Sequence, residues 1–147
     1  IDSVESTIIS TESETVSTEN PTETGWYTEM SRELKVLVIW EKVLHQILDA
    51  TQRFPKSIRH SFVHRIDGLV LDITQTMVSA QYSPMDKQVV LLEQLNIQLA
   101  QLKLLLRVSA DRKYVSLGLL RDLIHELDGI GMQIYAWQEN NRALGRD

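Results

Sequence analysis

The sequence predicts an all-α fold in which four long helices form an antiparallel, up-down-up-down four-helix bundle. Apolar residues recur at three- and four-residue steps in four long stretches, which is the period of an amphipathic helix, and no stretch alternates as a strand would. The connections between the stretches are short, and short connections make consecutive helices antiparallel neighbours. The 147 residues suffice for one domain with a real core.

Punctuating residues place the four helices. Pro55 fixes its own φ and steers Phe54 away from the α region, so the first helix is expected to end near Arg53 and the second to begin at Pro55. Ser83 and Pro84 are predicted as the N-cap and the first residue of the third helix. The expected helices span about residues 28–52, 55–80, 84–109 and 116–145.

The first helix carries more apolar residues than one core-facing stripe requires. One stripe comprises Leu34, Leu37, Val38, Leu44 and Leu48, and a second apolar side comprises Val36, Ile39, Trp40, Val43 and Ile47. Large aromatic side chains in excess of a small core usually mark an interface. The sequence therefore predicts a homo-oligomer whose interface includes Ile39, Trp40, Tyr135 and Trp137.

Three polar or small residues inside helices bear on packing. Gly129 and Gly131 lower helix propensity, so each is expected to permit the close approach of a neighbouring helix. Asn96 lies among leucines and is either a polar specificity point or a solvent-facing residue.

The start of the chain differs in composition from the rest. Residues 1–25 contain six acidic residues and no Lys or Arg; because the whole chain has a formal net charge of -5, residues 26–147 carry +1. Few apolar residues are available to offset the ordering entropy, so residues 1–25 are expected to form a disordered, Ser/Thr-rich acidic tail and residues 26–147 the bundle. The tail is either a solvated leader or a segment that covers a basic surface and competes with an anionic ligand.

Basic residues concentrate at one predicted end of the bundle. In an antiparallel bundle the first and third connections lie at the same end, where Asp49, Asp67 and Asp111 are the nearby acidic residues. Such an end attracts phosphates by a salt-sensitive term that does not depend on sequence. The alternative is a solvated helix face with local ion pairs. The predicted nucleic-acid-binding residues are Arg53, Lys56, Arg59, Arg65, Lys103, Arg107, Arg112 and Lys113.

Other functional classes find little support in the sequence. The chain has no cysteine, which is compatible with a cytoplasmic location, and its apolar runs are too short to span a membrane. It lacks a Gly-rich phosphate loop and a nucleophile motif, so no catalytic residue and no enzymatic activity are expected. Three pairs of possible metal ligands have helical spacing, but two ligands do not make a closed site, so neither metal nor cofactor is expected. The pairs are His60 with His64, Glu41 with His45, and Asp122 with His125.

Several segments, in their order and spacing, resemble a bacterial family of four-helix bundles. They are Phe54-Pro55-Lys56-Ser57 with Arg59 and Arg65-Ile66; Ala80-Gln81-Tyr82; Leu95-Asn96 with Leu99, Leu102-Lys103 and Leu105-Leu106-Arg107-Val108; and Gly131-Met132 with Trp137. The family includes the accessory variability determinant (Avd) of diversity-generating retroelements and related proteins encoded in intervening sequences of large-subunit ribosomal RNA genes. The resemblance covers about residues 27–140.

This resemblance implies a function and an assembly. It implies a homopentameric barrel with a basic surface, and a non-catalytic accessory subunit that binds a reverse transcriptase, template RNA and complementary DNA (cDNA) during mutagenic retrohoming. It places Arg53, Lys56, Arg59, Arg65 and Arg107 in basic positions of the family, whereas Arg112 and Lys113 come from the charge argument alone. The alternatives are a protein of the ribosomal intervening-sequence type, and a structural or protein-interaction bundle that does not bind nucleic acid.

Overall fold

Four α-helices account for most of the described chain. The computed structural model describes the backbone of residues 21–145 and the side chains of residues 35–145. The helices are α1 (Pro21–Thr51), α2 (His64–Gln81), α3 (Met85–Asp111) and α4 (Leu117–Gly145), and a 3₁₀ turn (Lys56–Ile58) and a π-helical turn (Arg59–Val63) lie between α1 and α2. Residues 21–145 contain no strand, which confirms the all-α prediction. The part of α1 before Lys35 belongs to a separate unit, so the bundle described below comprises residues 35–145.

Helices α1 and α2 run antiparallel, as their side-chain contacts show. The indole N–H of Trp40 donates a hydrogen bond to Thr74 Oγ1 at 2.8 Å. Further along α1, the Thr51 hydroxyl donates to Asp67 Oδ1, also at 2.8 Å. Residue numbers therefore rise along α1 where they fall along α2.

The same relation holds between α3 and α4. Gln88 Oε1 accepts a hydrogen bond from Asn141 Nδ2 at 3.0 Å near the start of α3. Lys103 Nζ lies 2.7 Å from Asp128 Oδ1 nearer its end. The carbonyl of Ala80, at the end of α2, accepts a hydrogen bond from Gln88 Nε2, so this buried amide ties α2 to α3 and α4.

One ion pair joins the first and last helices. Lys42 Nζ of α1 lies 3.3 Å from Glu126 Oε1 of α4. Each helix therefore has two neighbours, and the predicted up-down-up-down four-helix bundle is confirmed. The homopentamer that the resemblance implies remains a prediction.

The core is a stack of aliphatic side chains drawn from all four helices at three- and four-residue spacing. Its members include Val36, Trp40, Val43 and Ile47 of α1, Ile66, Val70, Ile73 and Met77 of α2, Leu92, Leu95, Leu99, Leu102 and Leu106 of α3, and Leu123, Leu127, Ile130 and Ile134 of α4.

The structure reverses the expected roles of the two apolar sides of α1 in forming the core. The side that was expected to be additional supplies the core residues, whereas Leu37, Leu44 and Leu48 are only half-buried and Val38 is 66% exposed. Both sides have helical periodicity, and the orientation of α1 is decided by Trp40. This large ring is 1% exposed and has its hydrogen-bond acceptor on α2.

Burial of Trp40 also corrects its assignment to an oligomer interface. Its ring fills the core of the subunit, so it cannot contact another subunit. Ile39 and Trp137 are half-buried and pack against the core, and Tyr135 is exposed. Whether Ile39, Tyr135 and Trp137 contact a second subunit remains a prediction.

Helix α1 begins earlier than the sequence suggested. It starts at Pro21, so residues 21–25, which were expected to belong to the acidic tail, are helical. Pro21 occupies the first helical position, where its missing N–H is not needed. The remainder of the predicted tail, residues 1–20, lies outside the described residues.

The N-cap predicted for α3 is wrong, and serine side chains act at the starts and ends of helices in other ways. Leu119 N–H donates to Ser116 Oγ at 3.1 Å, so Ser116, near which the fourth helix was expected to begin, caps α4. At α3 the N-cap is Pro84, whose carbonyl accepts hydrogen bonds from Lys87 and Gln88. The Ser83 hydroxyl instead donates back to the Ser79 carbonyl at 2.6 Å and closes the end of α2.

The expectation for the two glycines of α4 is wrong within the subunit. A Cβ added at Gly129 or Gly131 would meet no atom within 4 Å, so no helix in the described part of the chain approaches closely there. Asn96 is exposed and donates a hydrogen bond to Gln138 Oε1 at 3.2 Å, which favours the solvent-facing alternative.

Helix α3 is long and apolar enough to cross a membrane by length and composition alone. In the bundle, its apolar residues serve as core: Leu92, Leu95, Leu99, Leu102 and Leu106 are buried against the other helices. The buried share of its most apolar 18-residue window is 33%.

The Trp40–Thr74 hydrogen bond supplies a test of the packing. Thr74→Val is expected to lower the free energy of unfolding by about 1–2 kcal/mol, because the buried indole N–H loses its acceptor. Thr76→Val is the matched control, since the Thr76 hydroxyl donates to the Asp72 carbonyl within α2. Urea unfolding followed by circular dichroism measures both losses. Equal losses would contradict the role of this bond in joining α1 to α2.

Candidate nucleic-acid interface

Three aromatic rings hold the first and third connections together at one end of the bundle. Tyr114 lies in the third connection, and its ring centroid is 5.4 Å from that of Phe54 and 5.9 Å from that of Phe62. The ring planes are tilted by 41° and 60°, in the range of favourable aromatic pairs. The predicted meeting of these two connections at the same end is therefore confirmed.

The first connection is less regular than the continuous helix expected from Pro55 to Ala80. Pro55 has an extended backbone (φ -55°, ψ 140°) and precedes the 3₁₀ turn, in which Ile58 N–H donates to the Pro55 carbonyl. Phe54 is only 5% exposed, so its burial pulls the chain inward before Pro55 redirects it. Lys56, Ser57 and Arg59 consequently project into solvent, whereas Ile58 is half-buried against the core.

The third connection ends α3 with a Schellman motif. Tyr114 N–H donates to the Ser109 carbonyl at 2.8 Å, and Lys113 N–H donates to the Ala110 carbonyl at 3.0 Å. The motif requires a left-handed residue, and Lys113 supplies it with φ 65° where glycine is usual. Lys113 therefore adopts a backbone conformation at the end of α3 that is unfavourable for a residue with a side chain.

Tyr114 also positions a guanidinium group. Arg112 Nε donates a hydrogen bond to the Tyr114 hydroxyl oxygen at 3.1 Å. This hydrogen bond raises the pKa of Arg112 above its ordinary value, and the group is fully exposed. The same ring thus packs on the first connection and holds a permanently charged side chain of the third.

Seven exposed side chains form what we call the basic end. None of them lies within 4.0 Å of a carboxylate among residues 35–145. Of the nearby acidic residues, Asp67 is half-buried and accepts the hydrogen bond from Thr51, while Asp49 and Asp111 are exposed. The basic end therefore keeps a clear excess of positive charge. Its members are Arg53, Lys56, Arg59, Arg65, Arg107, Arg112 and Lys113.

Lys103 does not share the surroundings of those seven residues. It is half-buried on the side of α3 that faces α4, and its ammonium group is paired with Asp128 at 2.7 Å. Sequence spacing could not reveal this pair, because Asp128 lies on another helix.

A groove of about 470 Å³ opens between α2 and α3 beside the basic end. His64 and Arg65 line it on one side, and Gln101 and Leu104 line it on the other. Arg107 follows Leu104 by three residues and lies on the same face of α3. The lining of the groove combines apolar side chains, the cation of Arg65, hydrogen-bonding groups and one carboxylate, that of Asp72.

Sequence reasoning did not anticipate the aromatic cluster or the polar residues of the groove. Tyr114 and Phe62 were detectable as aromatic residues flanked by basic ones on two connections that the topology brings together. Asp72 and Gln101 carried no such signal, because each is an ordinary polar residue on a helix surface until α2 and α3 are packed. Among the residues that the structure describes, no three His, Asp or Glu side chains are grouped as metal ligands.

These features define a class of protein: an all-helical bundle that presents basic side chains on two connections fixed by aromatic packing. The chain belongs to the bAvd-like family, whose model matches residues 31–141. That match includes all of α2 and α3, both connections of the basic end and most of α4, and it confirms the family assigned by resemblance. No curated protein matches the chain.

The left-handed conformation of Lys113 generates a stability prediction. Lys113→Gly is expected to raise the free energy of unfolding by about 1 kcal/mol, because glycine adopts positive φ without a steric cost. Lys113→Ala removes the same charge without that relief, so it should leave stability unchanged or lower it. Chemical denaturation separates the two effects. Equal stabilities of the glycine and alanine variants would show that backbone strain at Lys113 is negligible.

Proposed function

We propose that this chain is a non-catalytic accessory subunit of a diversity-generating retroelement. In this proposal the basic end binds template RNA and cDNA in the cytoplasm, and other surfaces of the homo-oligomer bind the reverse transcriptase. Membership of the bAvd-like family supports the accessory class. The observation that carries the nucleic-acid part is the basic end itself, with seven exposed cationic side chains and no carboxylate within 4.0 Å among residues 35–145.

The physical basis of binding is phosphate neutralisation. Each bound phosphate releases condensed counterions, so affinity falls steeply as salt rises. Neither connection is a regular helix. The basic side chains on the two connections can therefore follow an irregular single strand better than they can follow the straight groove of a duplex. The adjacent α2–α3 groove offers Arg65 for a phosphate and an apolar floor for a base. This arrangement favours single-stranded or frayed nucleic acid over a uniform duplex.

Lys113 belongs to the basic end and is also the residue with the strained, left-handed backbone at the end of α3. Residues in unfavourable backbone conformations often persist where function requires the side chain. Glycine at this position would relieve the strain and remove one of the cationic groups. The proposal accounts for a lysine where stability alone favours glycine.

Charge reversal at the basic end tests nucleic-acid binding. Arg59→Glu combined with Arg107→Glu is expected to weaken binding of a fluorescent single-stranded RNA on the order of 100-fold, because two phosphate contacts become repulsive. The slope of log affinity against log salt should fall by about 1.4, since each lost contact with a single strand contributes about 0.7. Fluorescence anisotropy at several salt concentrations measures both quantities.

A control with the same change in net charge makes this test specific. Lys35 and Lys87 are exposed and lie away from the basic end, so reversing both charges should change affinity by less than about threefold if binding is local. Circular dichroism would verify that both double variants remain helical. If both lose affinity equally, or neither does, the basic end is not the binding site.

Association with the enzyme requires a separate measurement. Purification of the tagged chain from cells, followed by mass spectrometry and RNA sequencing at moderate salt, is expected to recover a reverse transcriptase together with a defined non-coding RNA. Recovery of neither would favour the ribosomal intervening-sequence type or a structural bundle. Recovery of the RNA without the enzyme would retain nucleic-acid binding and overturn the accessory role.

A further inference from the structure

The α2–α3 groove contains a carboxylate beside a cation, which the binding of phosphates alone does not require. Arg65 and Asp72 both line the groove, and both are exposed on α2. Among residues 35–145, neither side chain forms an ion pair within 4.0 Å. A carboxylate repels phosphates, so Asp72 would weaken the binding of RNA unless it contacts a group that donates hydrogen bonds. Apart from the ribose hydroxyls, the donors of RNA are on the edges of its bases.

The spacing of Arg65 and Asp72 suits one nucleotide. Seven residues correspond to about 10.5 Å along a helix and to nearly two complete turns, so both side chains lie on the same side of α2. A nucleotide whose phosphate contacts Arg65 can extend along the groove and bring the far edge of its base to Asp72. Gln101 and Leu104 of α3 line the opposite wall.

Gly68 lies between these two residues and keeps the groove open. It is inside α2, where glycine lowers helix propensity, and its φ is not positive, so the backbone does not require glycine. A Cβ added at Gly68 would meet no atom within 4 Å, so close packing does not require glycine either. A larger side chain at this position would instead occupy the space between Arg65 and Asp72. Glycine at residue 68 therefore leaves room for a ligand.

We propose that the groove binds one unpaired guanine base of a bound RNA strand, and that Asp72 determines this specificity. The inference rests on the proposed function, because the basic end holds the rest of the strand. Arg65 contacts the phosphate of the nucleotide, and the Asp72 carboxylate accepts hydrogen bonds from N1–H and from the 2-amino group of guanine. The imidazole of His64 and the apolar side chains of the groove offer surface on which the base can stack.

The hydrogen-bonding patterns of the four bases favour guanine. An ionised carboxylate accepts hydrogen bonds and donates none. Guanine has two adjacent donors on its Watson–Crick edge, which match the two oxygens of Asp72. Adenine and cytosine present a single donor group beside an unprotonated ring nitrogen, and uracil presents one donor between two carbonyl oxygens, so each sets a lone pair against the carboxylate. Gln101, on the opposite wall, can donate a hydrogen bond to O6 of guanine.

Changes of a single base in one RNA test the preference. A short oligouridine with one central guanosine is expected to bind the full chain about 10-fold more tightly than the same RNA with adenosine or cytidine there, because two matched hydrogen bonds discriminate between bases. Inosine keeps N1–H and lacks the 2-amino group, so it should bind about threefold more weakly than guanosine. Fluorescence anisotropy at one salt concentration measures all four affinities.

The outcomes separate this inference from the proposed function. Equal affinities for the four RNAs would overturn the guanine site and leave binding at the basic end intact. Failure of every RNA to bind at low salt would overturn both. Guanosine monophosphate has only one phosphate, so it should displace the RNA only at about millimolar concentration. Displacement at micromolar concentration would overturn the assignment to a base within a strand in favour of a free nucleotide.

Asp72→Asn separates recognition of the base from general electrostatics. The variant is expected to bind the guanosine and adenosine RNAs within about twofold of each other, because an amide replaces one accepting oxygen by a donor. Its affinity for plain oligouridine should stay the same or rise, since a negative charge is removed. Asp111→Asn is the matched control, because Asp111 is exposed near the basic end and does not line the groove. Retention of the preference in Asp72→Asn, or its loss in Asp111→Asn, would overturn the role of Asp72.

Gly68→Leu fills the groove while favouring the helix. It is expected to reduce the preference for guanosine to less than about twofold, with a melting temperature that is unchanged or higher, because leucine has a higher helix propensity than glycine. Gly129→Leu on α4 is the matched control, since a Cβ added there also meets no atom within 4 Å, and it should keep the preference. An undiminished preference in Gly68→Leu would show that the base does not bind in the groove.

Discussion

The packing of Tyr114 against Phe54 and Phe62 is the constraint on which the basic end depends. The three rings join two connections that are far apart in sequence, and the Tyr114 hydroxyl accepts a hydrogen bond from Arg112. Without this cluster, the basic residues of the two connections would lie on independently moving segments. The end of α3 is fixed in turn by the Schellman motif that places Tyr114 beside the first connection. Charge, backbone conformation and aromatic packing therefore meet at three consecutive residues, Arg112, Lys113 and Tyr114.

Much of the fold could be predicted from the sequence because it depends on local patterns. Helical periodicity gave the four helices, and short connections gave the antiparallel topology, which in turn placed the first and third connections together. The choice between the two apolar sides of α1 failed because both have the same period. Only the partner of Trp40 on α2, Thr74, decides it. The Ser83 cap failed because Ser79, one turn earlier, competes for the same hydroxyl.

The candidate site was predictable in outline and not in detail. Seven of the eight proposed basic residues are exposed at or beside one end of the bundle, and that placement followed from topology. Lys103 differs from the other seven because its ammonium group forms an ion pair with Asp128 on another helix. The α2–α3 groove depends on how two helix surfaces meet, which no single segment encodes. Helix α3 resembles a membrane helix in composition because it is apolar on two faces: one face is core, and the other carries the exposed Val90, Ile97 and Leu104.

Photo-cross-linking can establish whether nucleic acid binds at the basic end. Single-stranded RNA carrying 4-thiouridine would be cross-linked to the full chain and the modified peptides identified by mass spectrometry. We predict that cross-links map to residues 53–65 and 107–114, with Phe62, His64 and Tyr114 as the aromatic and imidazole targets. Cross-links confined to α4 or to the opposite end, around residues 82–88, would contradict binding at the basic end.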